Sequence, residues 1–572
     1  MLPVPPGSRL AARGWRAWFT WGMTALTDHP TSSATHEVRN QPPPLEGFNL
    51  FTEHGTLVEG LEREGGGWAH ERAVAVGAHA GGEPLEWGVQ ANEHPPVLHT
   101  HDRYGHRIDE VAFHPAWHEL MRAATGHGIH SLPWREARPG AHVARAALLM
   151  TWGQVEGGHQ CPLTMTFAAV PALRAQPELA AEWEPRLTSL HYDGRLDPPE
   201  DKASALCGMA MTEKQGGSDV RANTTRALAS NGGGPGGEYA ITGHKWFCSA
   251  PMCDLFLVLA QAPEGLSCFA VPRVLPDGTR NVFRLQRLKD KLGNRSNASS
   301  EVEFDGTWGR MVGEPGRGVP TIIEMVGHTR LDCVLGSAAG MRLAVSHATH
   351  HAAHRAAFGA PLIDQPLMQN VLADLCVESE AATLAGLRLA RAYDEDDLPL
   401  KRLATAVMKY WVCKRGPMHA AEALECLGGN GYVEASGMPR LYREQPINSV
   451  WEGSGNVMCL DVLRALVRFP EMLEAYIAEI DEAAGADARL DAFVAELRYE
   501  FADFEGIEAR ARRVVEKMAL ALQGSLLVRH GLPASADAFC ASRLAGDAGL
   551  AFGTLPRGAD FAAIIEHHRP RV

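Results

Sequence analysis

Near residue 208 the apolar residues of this chain change their period, and near residue 319 they change back. Before Cys207 the spacing is helical, as in Trp117–Arg122 and His142–Met150. From Met209 to about Gly313 it becomes a set of short β-type runs, such as Leu255–Leu259 and Cys268–Val271. These runs are cut by turn clusters, among them Asn231–Gly237, which reads as a hairpin loop and not as a phosphate cradle. Helical spacing returns from Val319 to about Phe469, with Pro361, Pro366 and Pro399 marking turns, and continues past Pro470. The chain is therefore expected to be mainly α with a central β-domain. Its expected divisions are a helical domain over 40–207, a β-domain over 208–315, a helical bundle over 316–469 and further helices over 470–572.

With 572 residues the chain is long enough for several cores. Fifty-four Lys and Arg stand against 68 Asp and Glu, a net charge of −14, which opposes global attraction to nucleic acid or an anionic membrane. No apolar run reaches the roughly 18 residues that span a bilayer, and eleven cysteines are scattered without a CxxC pair. A soluble, cytoplasmic protein with buried free thiols and no metal is the expectation. Arg9, Arg13 and Arg16, with Trp15, Trp18, Phe19 and Trp21, belong to a stretch over 1–39 expected to be a disordered extension, Met23 being an alternative start.

Two runs in the β-domain carry chemistry. Ala210–Asp219 sets a hydroxyl, a glycine pair and Ser218 within a few residues, so backbone N–H groups can approach an anionic phosphate. Gly243–Ser249 places an aromatic pair and a hydroxyl at the end of an expected strand, where they can cover a ring system and bond its edge. Downstream, Glu425–Tyr432 ends a helix in glycines that permit left-handed backbone and close approach by a ligand. Tyr442–Asn456 then carries Glu452 beside Trp451, ahead of the helical run Val457–Leu466. A carboxylate against an aromatic wall is a candidate base with a raised pKa; it is also an ordinary acid near a helix N-terminus.

The runs Met211–Asp219, Lys245–Phe247 and Arg287–Asn297 resemble the acyl-CoA dehydrogenase family, and within it the AidB-like branch, over residue 40 to the C-terminus. That resemblance implies the family fold, with 470–572 as an additional C-terminal helical domain. It implies FAD, held by Met211, Thr212, Gly217, Ser218, Trp246, Phe247, Ser249, Gly428, Gly429 and Trp451. Arg440 and Glu444 fit its second signature, while Ala435 departs from the acid or amide usual there. The segment Arg355–Gln365 resembles the one that reaches a neighbouring subunit's FAD, through Arg355, Phe358 and Gln365, so a homo-oligomer, a tetramer, is expected. Glu452 matches the catalytic base.

The implied activity is α,β-dehydrogenation of a short or branched acyl-CoA of isovaleryl type, with an electron-transfer flavoprotein as acceptor. The same resemblance offers an alternative: a protein that binds double-stranded DNA and protects it from, or detoxifies, alkylating electrophiles. A flavoprotein scaffold without turnover is the third reading. The basic face available for DNA is Arg510, Arg512, Arg513 and Lys517, in a segment (470–572) with 11 basic and 17 acidic residues. His347, His350, His351 and His354 share one helix face but lack acidic or cysteine partners nearby, so they are not read as metal ligands.

Overall fold

A computed structural model describes residues 35–502 and 504–572; the arginine- and tryptophan-bearing segment of the expected extension lies outside the described residues. Helices fill the first division, from Gly55–Arg63 to Pro177–Leu187, as the apolar spacing predicts. One hairpin interrupts them, β1 (Val97–His101) and β2 (Arg107–Ala112), which the sequence reading did not anticipate. The Asp102 carboxylate makes the turn by accepting from Tyr104 N and His106 N, with Gly105 at φ 90°. The hairpin tethers the helical domain to the β-domain, because Arg107 donates to Leu285 O at 2.9 Å.

The β-domain comprises β3 (Cys207–Ala210), β4 (Arg226–Ala229), β5 (Glu238–Ser249), β6 (Leu255–Ala262), β7 (Gly265–Pro272), β8 (Phe283–Leu288) and β9 (Ser299–Val312). Five of them close on themselves in the order β6-β4-β5-β9-β7-β6, while β3 extends β6 and β8 extends β9. Closure removes the exposed edges of an open sheet. The Asn231–Gly237 glycine run is the loop joining β4 to antiparallel β5, as read. Phe256, Phe269 and Phe283 are fully buried in this domain.

Three long helices, Gly318–His354, Pro366–Asp394 and Leu398–Cys426, make the bundle. Gln445 of the Met438–Asn448 helix fits between two of them where Gly340 and Gly416 leave space: a Cβ there would stand 1.8 and 2.5 Å from its amide. Arg145, in the helix Ala141–Trp152, joins the first division to the bundle through a fully buried two-pronged pair with Asp332, both contacts 2.6 Å. Beyond residue 470, Ile507–His530 packs on the two later bundle helices and Phe561–His568 on Pro366–Asp394. No helix among the described residues is long and apolar enough to cross a membrane.

Candidate active site

Glu452 lies between the helices Met438–Asn448 and Gly455–Arg468, in left-handed backbone at φ 59°, followed by Gly453 at φ 105°. Left-handed backbone at a non-glycine residue is costly and persists only where surrounding contacts determine it. Here they are specific. Lys409 Nζ, from the middle of Leu398–Cys426, donates to both flanking carbonyls, Trp451 O at 2.6 Å and Gly453 O at 2.5 Å. Arg330 Nε donates to Glu452 O at 3.1 Å, and the same guanidinium is held by Asp461 at 2.8 Å. The Trp451 indole donates to Asn448 Oδ1 at 3.2 Å, which fixes the ring beside the carboxylate.

The Glu452 side chain is half-buried in a recess of the protein. Desolvation there raises its pKa above the ordinary carboxylate range, against opposing pulls from Thr329, Lys409 and Arg330. Thr329 Oγ1 stands 2.8 Å from Glu452 Oε2 and 3.1 Å from Val326 O. When the carboxylate is ionised the hydroxyl donates to it; when it is protonated the hydroxyl can accept from it and donate to Val326 O. One side chain can thus hydrogen-bond the carboxyl group in either protonation state. Thr329, Arg330 and Lys409 are the neighbours of Glu452 that sequence reasoning missed, and the available signal was polar or charged residues at buried positions of two bundle helices.

The Met211–Asp219 turn is built on a pair the sequence reading also missed. Glu213 and Lys245 are fully buried and 3.0 Å apart. Glu213 also accepts from Thr224 N and Thr225 N, while Lys245 donates to Leu259 O at 2.7 Å and Met211 O at 3.3 Å. Burial pushes Lys245 down to about 8 against the attraction of Glu213. For Glu213 burial opposes ionisation, but these hydrogen bonds and Lys245 hold its carboxyl well below the usual range. Above this buried pair the turn is exposed from Lys214 to Asp219. It folds back so tightly that a Cβ on Gly217 would meet Thr212 Oγ1 at 2.4 Å.

The β5–β9 ladder loses register between Lys245 and Cys248, and Trp246 and Phe247 occupy the irregular stretch. A bulge of this kind re-aims side chains beside functional sites. Trp246 N donates to Thr212 O at 2.8 Å, tying the two predicted runs together, and Lys289 Nζ stands 3.3 Å from the Trp246 ring centroid. Ser249 Oγ lies 3.4 Å from Ser299 Oγ, next to Lys291, which donates to Ser299 Oγ at 3.0 Å.

The Arg287–Asn297 run is clamped from two sides. Glu444 accepts from Asn294 N at 2.6 Å and Nδ2 at 2.7 Å. Glu156 accepts from Ser296 Oγ at 2.8 Å and holds His159 at 3.0 Å, and the Trp152 indole closes the network on His159 at 2.7 Å. Burial alone would raise Glu156; its bonds to His159 and neighbouring N–H groups bring it down to about 2. Arg440 is half-buried in the same junction, donating to Val155 O at 3.3 Å. Arg440 and Glu444 thus join three domains.

The remaining predicted residues lie on exposed features. Gly428, at φ 58°, and Gly429 open the short 3-10 turn Gly428–Tyr432 after the Leu398–Cys426 helix, with free space where a Cβ would stand. Arg355 leaves the Gly318–His354 helix and donates to Asn40 O at 2.6 Å. A two-residue hairpin follows, Ala356–Ala357 against Ala360–Pro361, with Phe358 fully exposed at its tip at φ 53°. Gln365 Nε2 braces it from Ala357 O at 2.8 Å.

The C-terminal basic row is not an open face. Arg510 and Arg513 pair with Glu500 at 2.6 and 3.1 Å, Lys517 with Glu496 at 3.0 Å, and Arg512 donates to Asn456 Oδ1 at 2.8 Å. Of the histidine row, His350 bonds Pro43 O and His354 bonds the carbonyl of His350, each at 2.9 Å. All eleven cysteines are free and buried, as expected.

This architecture and these motifs have close counterparts among known proteins. Family profiles match in succession: the adaptive response protein AidB N-terminal domain over residues 40–194, the acyl-CoA dehydrogenase middle domain over 208–307 and its C-terminal domain over 316–467. The chain belongs to the acyl-CoA dehydrogenase family, whose members are FAD-dependent dehydrogenases, and to its AidB-like branch. The AidB protein of Escherichia coli (strain K12) is 47% identical over 513 residues, which cover 88% of this chain and 94% of that protein. Acyl-CoA dehydrogenase family member 11 of Caenorhabditis elegans is 31% identical over 424 residues, 70% of this chain and 67% of that protein. The crystal structure of C. elegans ACDH-11 in complex with C11-CoA matches with a TM-score of 0.79 at 25% identity, covering 94% of this chain and 93% of that one. The Bd2924 apo-form matches with a TM-score of 0.77 at 28% identity, covering 86% and 99%.

Proposed function

We propose that the chain binds FAD and removes two hydrogens from the α and β carbons of a short or branched acyl-CoA, with Glu452 as the base. The observation that carries this reading is the Glu452 corner, where three side chains from two bundle helices hold a strained backbone and its carboxylate has a raised affinity for protons. The residues present fit a flavin. Met211, Thr212, Gly217 and Ser218 offer an exposed turn too tight for a Cβ at Gly217, Trp246 and Phe247 are displaced from the ladder beside it, and Ser249 and Trp451 complete the family set. Bound FAD supplies the two-electron acceptor that takes the β-hydrogen as hydride.

The work left to the protein is proton transfer and positioning. Glu452 takes the α-proton through its carboxylate, and Thr329 reverses its hydrogen bond as the charge is lost. Lys409 and Arg330 keep the base in place through its backbone and the adjoining carbonyls. The exposed hairpin with Arg355, Phe358 and Gln365, together with Gly428 and Gly429, supports a cofactor site completed by another subunit of a tetramer. An electron-transfer flavoprotein would reoxidise the flavin.

The test is an anaerobic absorbance titration of the yellow protein with a panel of acyl-CoAs. The panel includes isovaleryl-CoA and, because a C11-CoA occupies the C. elegans relative, C11-CoA. Bleaching of the flavin band by a thioester in the native protein and its loss in Glu452→Gln is the expected outcome. A fully loaded protein that no thioester bleaches would overturn the reading for that panel.

A further inference from the structure

Away from the Glu452 corner, the last helix meets the bundle through a cluster that neither the motifs nor the proposed reaction uses. Glu380, in the middle of Pro366–Asp394, and His567 and His568, in the last turn of Phe561–His568, bring one carboxylate oxygen and two ring nitrogens within 4.8 Å of one another. Glu380 and His568 are buried and His567 is half-buried.

The hydrogen bonds around this cluster leave its inner atoms unpaired. Glu380 Oε1 accepts from Leu532 N at 2.7 Å, which fixes the carboxylate and leaves Oε2 facing inward. His568 Nδ1 lies 2.8 Å from Ile564 O. A carbonyl can only accept, so Nδ1 carries a proton, and Nε2 is the ring atom turned toward Glu380. Nε2 stands 3.1 Å from Glu380 Oε2, yet neither atom has a hydrogen-bond partner. Two buried polar atoms facing each other without a hydrogen bond are costly unless a cation joins them.

A protonated His568 paired with Glu380 at 3.1 Å would supply that cation, but it leaves His567 without a role. A metal ion accounts for all three groups. Ligand atoms on a tetrahedral zinc with bonds of about 2.0–2.1 Å sit roughly 3.3 Å apart; Glu380 Oε2 and His568 Nε2 stand 3.1 Å apart, and the whole set falls within 4.8 Å, so the ion would draw His567 in. Two histidines and one carboxylate are a zinc donor set, and a backbone carbonyl holding Nδ1–H is the usual outer support of a ligating imidazole.

We propose that Glu380, His567 and His568 bind one divalent transition-metal ion of the zinc class. The ion would join the C-terminal helix to the long bundle helix across nearly 190 residues of chain. Its role would be structural, adding to the contacts of Arg342, which donates to His568 O and to Glu53 O at the same helix end. The fourth coordination position remains for water or for a further side chain.

The experiment uses the full chain freed of any purification tag. The protein is loaded with zinc, passed into metal-free buffer and analysed by elemental mass spectrometry, and cobalt(II) is substituted to read the geometry from its visible absorption. The expected result is one ion per chain with a tetrahedral cobalt spectrum, and affinity lowered by more than about 10-fold in His567→Ala and in Glu380→Gln. His567→Ala leaves the Glu380–His568 contact in place, so it separates ligand loss from misfolding, with circular dichroism as the check. His350→Ala, in the other histidine row, should change nothing. A native protein that retains no zinc, or one whose zinc is unaffected by His567→Ala or is lost with His350→Ala, would overturn the proposal.

Discussion

The Glu452 corner and the basic row of Ile507–His530 use the same kinds of residue to opposite ends. Around Glu452, the Lys409 ammonium and the Arg330 guanidinium, itself paired with Asp461, donate to backbone carbonyls and fix geometry without pairing with the Glu452 carboxylate. In the C-terminal helix, Arg510, Arg513 and Lys517 are met by Glu496 and Glu500 and their charges are locally cancelled. Counting charges cannot separate the two cases; what the donors contact does. The lesson extends to backbone strain. Among the described residues, non-glycine left-handed backbone occurs at Asn40, Asp109, Ala250, Asn294, Phe358, Asp396 and Glu452. Ala250, Asn294, Phe358 and Glu452 all lie in or next to predicted site segments.

The strongest way to break the comparison is Glu452→Gln, which keeps size and hydrogen bonding but cannot take a proton. Stopped-flow reduction by the bleaching thioester should slow by about 10²–10⁴-fold, the contribution typical of a positioned general base. Flavin content should stay unchanged. Equal rates in both proteins would reduce Glu452 to an ordinary helix-end acid.

Next comes the buried pair beneath the Met211–Asp219 turn. Lys245→Met leaves Glu213 ionised and without its cation at a fully buried position, which costs about 3–5 kcal/mol where measured in other proteins. Denaturant titration should show that loss, and the protein should be isolated with less flavin. If stability falls while flavin affinity holds, the pair supports the barrel and not the turn.

A smaller effect belongs to Thr329. The raised pKa of Glu452 means that reduction should accelerate as pH rises through that value, because the base works only when deprotonated. Thr329 stabilises the ionised form, so Thr329→Val should move the profile to higher pH by about one unit, the worth of roughly one hydrogen bond. A profile that keeps its midpoint but loses amplitude would assign Thr329 to substrate positioning.

Much of this was legible in the sequence, for reasons that also set the limit. The helix–β–helix order follows from apolar period, which local spacing displays. The β1–β2 hairpin escaped because its strands have five and six residues with few buried positions, too little alternation to separate from loop. Glu452, Trp246 and Gly217 were singled out because contiguous motifs contain them. Their supports were not, because they arrive from far along the chain: Thr329 is 123 residues from Glu452 and Lys409 is 42 from Trp451. Lys245 and Glu213 stood inside the motifs, yet nothing local shows that a strand lysine turns inward.

The basic row shows the same limit from the other side, and it carries the smallest expected effect. Helical spacing correctly put Arg510, Arg513 and Lys517 on one face but could not show that Glu496 and Glu500, on Ala488–Glu500, lie against it. These pairs share a largely buried Glu500 but keep at least one solvent-facing cation, and Lys517 stays 3.6 Å from Glu500, so replacing Arg510, Arg512 and Arg513 by Gln should lower stability by no more than about 1 kcal/mol after solvent screening. Duplex DNA retention at low salt should be equally indifferent, because an arginine already held by glutamate releases few counterions when phosphate replaces that partner. A steep salt-dependent retention that the triple variant abolishes would break the comparison at its weaker end. It would mean that DNA displaces Glu500, and that charges cancelled within the chain still define a binding face.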